Sequence, residues 1–340
     1  MRVSGTLYVC DHRARLRLHH GTLRVEQPSG WERVPIEALD GVVLTGRAEI
    51  TNDAIGELVR HGIRVAALSR TGRLRFAIGG PVSGNVHLRL AQVRASDDAL
   101  ETARLCRWIV AAKLQNCRRS IQRWSWDADA VARSAMEREA EWIADRIRYL
   151  GATQDGDKIR GIEGDGTRSY FHCLGLHLGR GEEVLGFVRR TRRPPRDPVN
   201  ALLGFAYGLV LAEVVGALEA VGLDPQIGFL HRPRSGRPSL ALDLLEELRP
   251  SVADRFCVAV LSRRQVRAEH FQTIGPGCYL TDDGRANVLV LYEEHKSAEI
   301  DHSVLGRRIG RWMLPVVQAT LLARYLRGDL PAYPPYLTTS

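Results

Sequence analysis

Three polar interruptions in the larger, C-terminal part of the chain carry the residues that could do chemistry. The first is Glu163, alone among the glycines of Arg160-Gly161-Ile162-Glu163-Gly164-Asp165-Gly166. The second is His231, which ends the apolar stretch Gly228-Phe229-Leu230. The third is Ser239-Leu240-Ala241-Leu242-Asp243-Leu244-Leu245-Glu246-Glu247, where Asp243, Glu246 and Glu247 stand at i, i+3 and i+4 and share one helical face. Like charges so placed repel by roughly a few tenths of a kcal/mol per pair, a cost that a nearby cation reverses. Carboxylates suit Mg²⁺ or Mn²⁺, and one imidazole tilts the set toward tolerance of Mn²⁺. Such an ion neutralises charge developing on a phosphodiester and activates the attacking oxygen. Glu163, His231 and Glu246 would make that site if the segments carrying them converge.

Each group also has an ordinary reading. A Glu among glycines is a common acid at a helix N-terminus, where the helix dipole favours it. A lone His is commonly a hydrogen-bonded structural residue. The acidic trio could be a solvated face, with Arg249 and Arg255 nearby to pair with it.

The elements that must position these residues fall into two parts. Residues 1–85 read as β-rich. Ala14–Leu18 and Leu23–Glu26 alternate apolar and polar around a His20-Gly21 turn, and Gly41–Leu44 is a short buried run. A helix starts at Thr51 or Asn52 and ends at Gly62, and strands return at Arg64–Leu68 and Leu74–Ile78. The breakers Gly79-Gly80-Pro81 and Gly84 mark a domain boundary. Beyond it the apolar period becomes helical. Asp98–Trp124 carries Leu100, Ala103, Cys106, Ile109, Val110, Lys113 and Leu114 at helical spacing. Further helices are expected over Ala128–Leu150, after Gly166, over Val199–Ala220, from Ser239, and over His302–Leu326. The expected class is α+β, a small β-rich domain (1–85) followed by a larger all-α domain (86–340) that holds the chemistry.

Composition narrows the classes of function. The 340 residues carry 48 Lys and Arg against 39 Asp and Glu, a net charge of +9 that favours a polyanionic partner such as nucleic acid. Cys10, Cys106, Cys117, Cys173, Cys257 and Cys278 include no CxxC pair, so zinc-ribbon and iron-sulfur readings lack support and reduced core cysteines are expected. The longest uncharged apolar run, Ala201 to Ala212, is too short for a membrane span. Met1-Arg2-Val3-Ser4-Gly5 opens no apolar leader, so a cytoplasmic protein is expected.

The order of motifs carries a resemblance. Asp197-Pro198-Val199-Asn200-Ala201-Leu202-Leu203-Gly204-Phe205-Ala206-Tyr207 precedes Val221-Gly222-Leu223-Asp224-Pro225-Gln226-Ile227-Gly228-Phe229-Leu230-His231, and Gly236 to Pro250 follows. With Ile162-Glu163-Gly164 and Tyr170-Phe171 upstream, the chain resembles the CRISPR-associated adaptation integrase, an endonuclease family, over nearly its whole length. The resemblance implies insertion of foreign DNA fragments into a CRISPR array by attack of a 3′-hydroxyl on a phosphodiester, at a Mg²⁺ or Mn²⁺ site. On the matching positions the ligands are Glu163, His231 and Glu246, with Asp243 as a supporting acid. It also implies a homodimer formed through the β-domains, and a larger complex in which two dimers flank a dimer of a small ferredoxin-like CRISPR-associated partner.

In that setting Arg189, Arg190, Arg192 and Arg193, and Arg232, Arg234 and Arg237 beside His231, become candidate contacts to double-stranded DNA. Arg263, Arg264 and Arg267 and Arg307, Arg308 and Arg311 are further candidates. Two other readings stay open: a hydrolytic repair or recombination nuclease that joins nothing, and a DNA-binding scaffold whose acids are structural.

Overall fold

The computed structural model describes residues 2–3, 6–9, 11, 13–45, 47–69, 74–80, 86–179 and 185–338. In chain order the first elements are β1 (Arg2–Val3), β2 (Thr6–Val9), β3 (Arg15–His19), β4 (Thr22–Gln27), β5 (Gly30–Pro35), β6 (Gly41–Thr45), β7 (Glu49–Ile50), α1 (Asn52–Arg60), β8 (Arg64–Leu68) and β9 (Leu74–Ile78). Helices α2 (Val86–Asp97), α3 (Ala99–Trp126), α4 (Ala130–Leu150), α5 (Gly156–Leu178), α6 (Pro198–Ala220), α7 (Ser239–Leu248) and α8 (Arg255–Ser262) come next. The last elements are β10 (Phe271–Ile274), β11 (Gly277–Leu280), α9 (Asp282–Ser297), β12 (Glu299–His302), β13 (Arg307–Gly310) and α10 (Leu314–Leu326). A strand-rich N-terminal region followed by a mostly helical remainder is the expected α+β class. The expected boundary falls largely on residues 81–85, and Cys10 is a single position; both lie outside the described residues.

The chain separates into two compact units. One comprises Met1–Ser83, Thr191–Ala212 and Arg263–Ser297; the other Gly84–Arg190, Glu213–Ser262 and Ala298–Ser340. In the first, the described strands form a sheet ordered β1-β2-β6-β8-β9 and a second ordered β5-β4-β3-β7. The β3–β4 turn is tight because His20 and Gly21 both take positive φ, 47° and 72°, the twist that suits a two-residue hairpin. Leu16, Leu23 and Val25 point inward from that hairpin and meet Val42, Leu58 and Val65 in one core. Strand β6 is paired in parallel with β2 and β8, which explains its continuous apolar run. Strand β5 escapes the alternation rule because Val34 is its only buried residue.

The second unit is built around α3, which packs against α4, α5 and α7. Asn116 of α3 donates to the carbonyls of Glu247 and Tyr336 and accepts from the Thr338 N–H at 2.9 Å. The segment after α10 is thereby fastened to the interior.

Two helical expectations and one expectation about the length of an apolar run need correction. The helix placed after Gly166 starts at Gly156, where the Asp155 carboxylate accepts from the Asp157 N–H at 2.9 Å. Internal glycines lower helix propensity, but packing of α5 on α3 overrides that here. The last helix starts at Leu314, not His302, because 299–310 pair as the hairpin β12–β13. With β10–β11 this interrupts the helical part twice. Finally, the apolar run at Ala201 continues past Glu213 into one 23-residue helix, long and apolar enough to cross a membrane, with 67% of its most apolar stretch buried inside the chain. Such burial suits a core helix, whose faces are apolar all round.

Candidate active site

The site is assembled where α3, α5 and α7 meet. A Cβ added to Gly166 would lie 2.3 Å from Leu114 Cδ2, so the glycine lets α5 come close to α3. That approach sets Glu163 on α5 against Lys113 on α3, whose ammonium contacts Glu163 Oε1. Thr167, one turn along α5, donates to the same oxygen at 2.9 Å. Glu163 lies two turns into its helix, so it is not an N-terminal acid.

His231 is delivered by the loop before α7. A Cβ at Gly228 would meet the Ser239 carbonyl carbon at 2.6 Å and the Leu240 nitrogen at 2.8 Å, so only glycine lets this loop lie on the start of α7. There the Asp243 carboxylate gathers the loop's N–H groups. It accepts from Phe229 at 2.6 Å, Leu230 at 3.1 Å and His231 at 2.8 Å. The His231 ring donates Nδ1–H to the same carboxylate at 2.7 Å. In the neutral ring that bond places the proton on Nδ1 and the lone pair on Nε2, which lies 3.8 Å from Glu246 Oε1.

Glu246 completes the group. Its Oε2 lies 2.6 Å from Lys113 Nζ and its Oε1 2.7 Å from an Arg249 nitrogen. Burial alone would push this carboxyl up, but Arg249 and Lys113 outweigh it and hold the carboxyl well below the ordinary carboxylate range. Burial likewise works against the Lys113 charge, and Glu246 and Glu163 overcome it and raise the ammonium above its ordinary value.

The acidic trio is therefore no solvated face. Asp243, Glu246 and Glu247 are all buried, each with its own partners. Glu247 turns away from the site: it accepts from Tyr333 Oη at 2.5 Å, Gln318 Nε2 at 3.2 Å and the Tyr336 N–H at 3.0 Å. With no cation among these donors, burial pushes its carboxyl up to about 7.

Glu163, His231 and Glu246, from segments spread over more than eighty residues, thus reach one place, with Asp243 behind the histidine. Two carboxylates and an imidazole with a free Nε2 suit Mg²⁺ or Mn²⁺ in donor type. Among the described residues no three His, Cys, Asp or Glu side chains close on a common point as a formed metal site; the ammonium of Lys113 bridges the two glutamates instead. Sequence reasoning counted Lys113 within the apolar stripe of α3 and gave it no role. The signal was there: a charged residue on a buried helical face requires a buried partner.

The arginines divide by exposure. Arg232 and Arg234 are exposed and Arg237 is half-buried in the turn after His231, with an Arg232 nitrogen 3.3 Å from Asp157. Arg189, Arg192 and Arg193 are exposed and Arg190 is half-buried. Arg263, Arg264, Arg267, Arg307 and Arg308 are exposed. Arg311 is buried and drops out as a surface contact. The described cysteines, Cys106, Cys117, Cys173, Cys257 and Cys278, are free and buried, as expected of reduced core residues.

The chain is similar to proteins already known. Residues 7–294 match the family described as CRISPR associated protein Cas1. The chain is 38% identical over 336 residues to CRISPR-associated endonuclease Cas1 1 of Moorella thermoacetica, covering 98% of each. Among solved structures it resembles a casposase bound to integration product, with TM-score 0.83 and 20% identity over 96% of this chain and 91% of that one. It also resembles a chain of a Cas6-RT-Cas1–Cas2 complex, with TM-score 0.81 and 21% identity, covering 100% of this chain and 36% of that one. At these identities the two structural likenesses speak to the fold.

Proposed function

The chain belongs to the Cas1 family of CRISPR-associated proteins, and on that premise we propose that it cuts and joins DNA, inserting foreign fragments into a CRISPR array in the cytoplasm. The observation that carries the reading is the meeting of Glu163, His231 and Glu246 beside Lys113 and Arg249. In the joining step a fragment's 3′-hydroxyl oxygen bonds to a phosphorus at the repeat boundary. The bond from that phosphorus to its former 3′-oxygen breaks, and the proton lost by the attacking hydroxyl is balanced by the one the leaving oxygen takes up. One phosphodiester replaces another, and no water is consumed.

Glu163, His231 and Glu246 would hold Mg²⁺ or Mn²⁺, which when bound neutralises charge on the phosphate and acidifies the attacking hydroxyl. The chain's own residues do the positioning. Asp243 fixes the histidine tautomer so that Nε2 faces the site. Arg249 and Lys113 keep Glu246 ionised at neutral pH, which suits it to be a ligand and not a proton acceptor. Arg232, Arg234 and Arg237 flank His231 and would grip the DNA phosphates, as would Arg189, Arg190, Arg192 and Arg193. The assembly we propose is a homodimer that associates with a dimer of a small ferredoxin-like CRISPR-associated partner; one of the structures of like fold is a complex with Cas2.

The test is strand joining. Protein with its small partner receives a labelled 3′-hydroxyl DNA fragment, a supercoiled repeat plasmid and Mn²⁺, with Glu163→Ala and His231→Ala alongside. Label should enter the plasmid, and either variant or EDTA should abolish the transfer. Nicking without transfer favours a plain nuclease, and metal-independent binding with neither reaction favours a scaffold.

A further inference from the structure

Lys113 stands between two carboxylates that belong to different helices. Its side chain is 3% exposed, and its ammonium contacts Glu163 Oε1 of α5 and lies 2.6 Å from Glu246 Oε2 of α7. The guanidinium of Arg249 meets the other oxygen of Glu246 at 2.7 Å. Without Lys113, the half-buried carboxylate of Glu163 and the buried one of Glu246 would face each other at the junction of three helices. The residue type matters as well. The chain has only three lysines, Lys113, Lys158 and Lys296, against 45 arginines. Arginine's planar fork binds a carboxylate through two fixed bonds, whereas lysine's compact charge rides on a flexible four-carbon stem and can let go of one anion without rearranging the helix.

We propose that Lys113 is a positioning residue, a resident cation for the Glu163–Glu246 pair that exchanges with the divalent ion at those carboxylates. This rests on the reading of Glu163, His231 and Glu246 as metal ligands. It has two consequences. The carboxylates are held together before any ion arrives, so loading does not have to bring two like charges into contact. The ion must also displace an ammonium, so its affinity is that of an exchange and is weaker than the same ligands would give alone.

Three lysines make the exchange directly visible. Protein carrying ¹³C and ¹⁵N only in lysine gives three side-chain signals, and titration with Mg²⁺ should move that of Lys113 while leaving Lys158 and Lys296 in place. Glu163→Gln should abolish that movement. In calorimetric titration Lys113→Met should bind Mn²⁺ at least tenfold more tightly than the parent. Its metal-free melting temperature should fall by several degrees, and Mn²⁺ should raise it by more than it raises the parent's, the excess that tighter binding brings and that loss of a merely structural lysine would not show. Ion binding to the parent with an unmoved Lys113 signal, and equal affinity in Lys113→Met, would overturn the exchange and leave the ligand reading standing. No binding of either ion to parent or variant would overturn both. If Lys113→Met does not fold, the labelled parent decides alone.

Discussion

A single oxygen of Asp243 holds His231 at two points: Oδ1 accepts the backbone N–H at 2.8 Å and the ring Nδ1–H at 2.7 Å. Oδ2 meanwhile takes the N–H groups of Phe229 and Leu230. The supporting acid thus fixes both where the histidine sits and which nitrogen it offers. Asp243→Asn keeps one acceptor oxygen and replaces the other by a donor that faces two N–H groups. We expect Mn²⁺ affinity to fall roughly 10- to 100-fold, the usual effect of losing a partner behind a metal ligand. Calorimetric titration checks it, and an unchanged affinity would remove Asp243 from the site.

Glu246 is matched by Lys113 and Arg249. Glu246→Ala leaves both cations short of an anion and should lower stability by about 3–5 kcal/mol, the usual effect of breaking a buried pair from one side. Urea unfolding in EDTA measures this without any contribution from bound metal. A loss under about 1 kcal/mol, the range of exposed pairs, would mean that these groups do not meet.

Two glycines should rank differently. At Gly228 an added methyl meets backbone of Ser239 and Leu240, whereas at Gly166 it meets the Leu114 methyls. A leucine can change rotamer; a helix start cannot. Gly228→Ala should therefore lower the melting temperature more than Gly166→Ala, and it should also depress strand joining by shifting the loop that carries His231. Melting curves of the two variants side by side decide the order.

Acid should weaken the fold through His302. Its buried ring sets Nε2 3.1 Å from Gln318 Oε1 and Nδ1 3.4 Å from the Leu305 N–H. The neutral ring satisfies both; a second proton breaks the Leu305 contact. Burial accordingly lowers its pKa below the ordinary 6.5. Near pH 6 the unfolded chain therefore binds more protons than the folded one. The histidine's contribution is complete above about pH 6.5 and is lost as pH falls through the folded value. The stability difference between the parent and His302→Gln should shrink as pH drops from 7.5 to 5.5, and a flat difference would contradict the assignment.

Charge removal at Arg232, Arg234 and Arg237 should weaken DNA binding evenly across sequences. Each lost phosphate contact should reduce the slope of log affinity against log salt by about 0.9. Binding measured across a salt series checks it, and an unchanged slope would dismiss those contacts.

What could be read in the sequence, and what could not, follows from the range of the interaction that decides each feature. The β3–β4 hairpin and α1 were legible because local alternation, the His20-Gly21 turn and the Thr51 cap define them. Glu163, His231 and Glu246 were legible as candidates because polar residues interrupt apolar runs. Lys113 was not, because its role depends on partners 50 and 133 positions away. The start of α5 was misplaced because its glycines argue against a helix locally, and only the close packing at Gly166 explains them. The solvated reading of Asp243, Glu246 and Glu247 failed for a related reason: helical spacing shows which side chains share a face but says nothing of what covers it.

The fastening of Asn116 and Glu247 to Tyr333, Tyr336 and Thr338 bears on the order of events during synthesis. When α7 has just emerged from the ribosome, Glu247 has none of the three donors that will satisfy it, since the nearest in sequence, Gln318, lies 71 residues ahead and the Tyr336 N–H 89. A nascent chain that stops short of residue 336 must leave Glu247 in water or bury it without its full set of partners. The helix that carries Glu246 therefore reaches its final setting late, only once the segment after α10 has been made and has threaded its backbone onto Asn116.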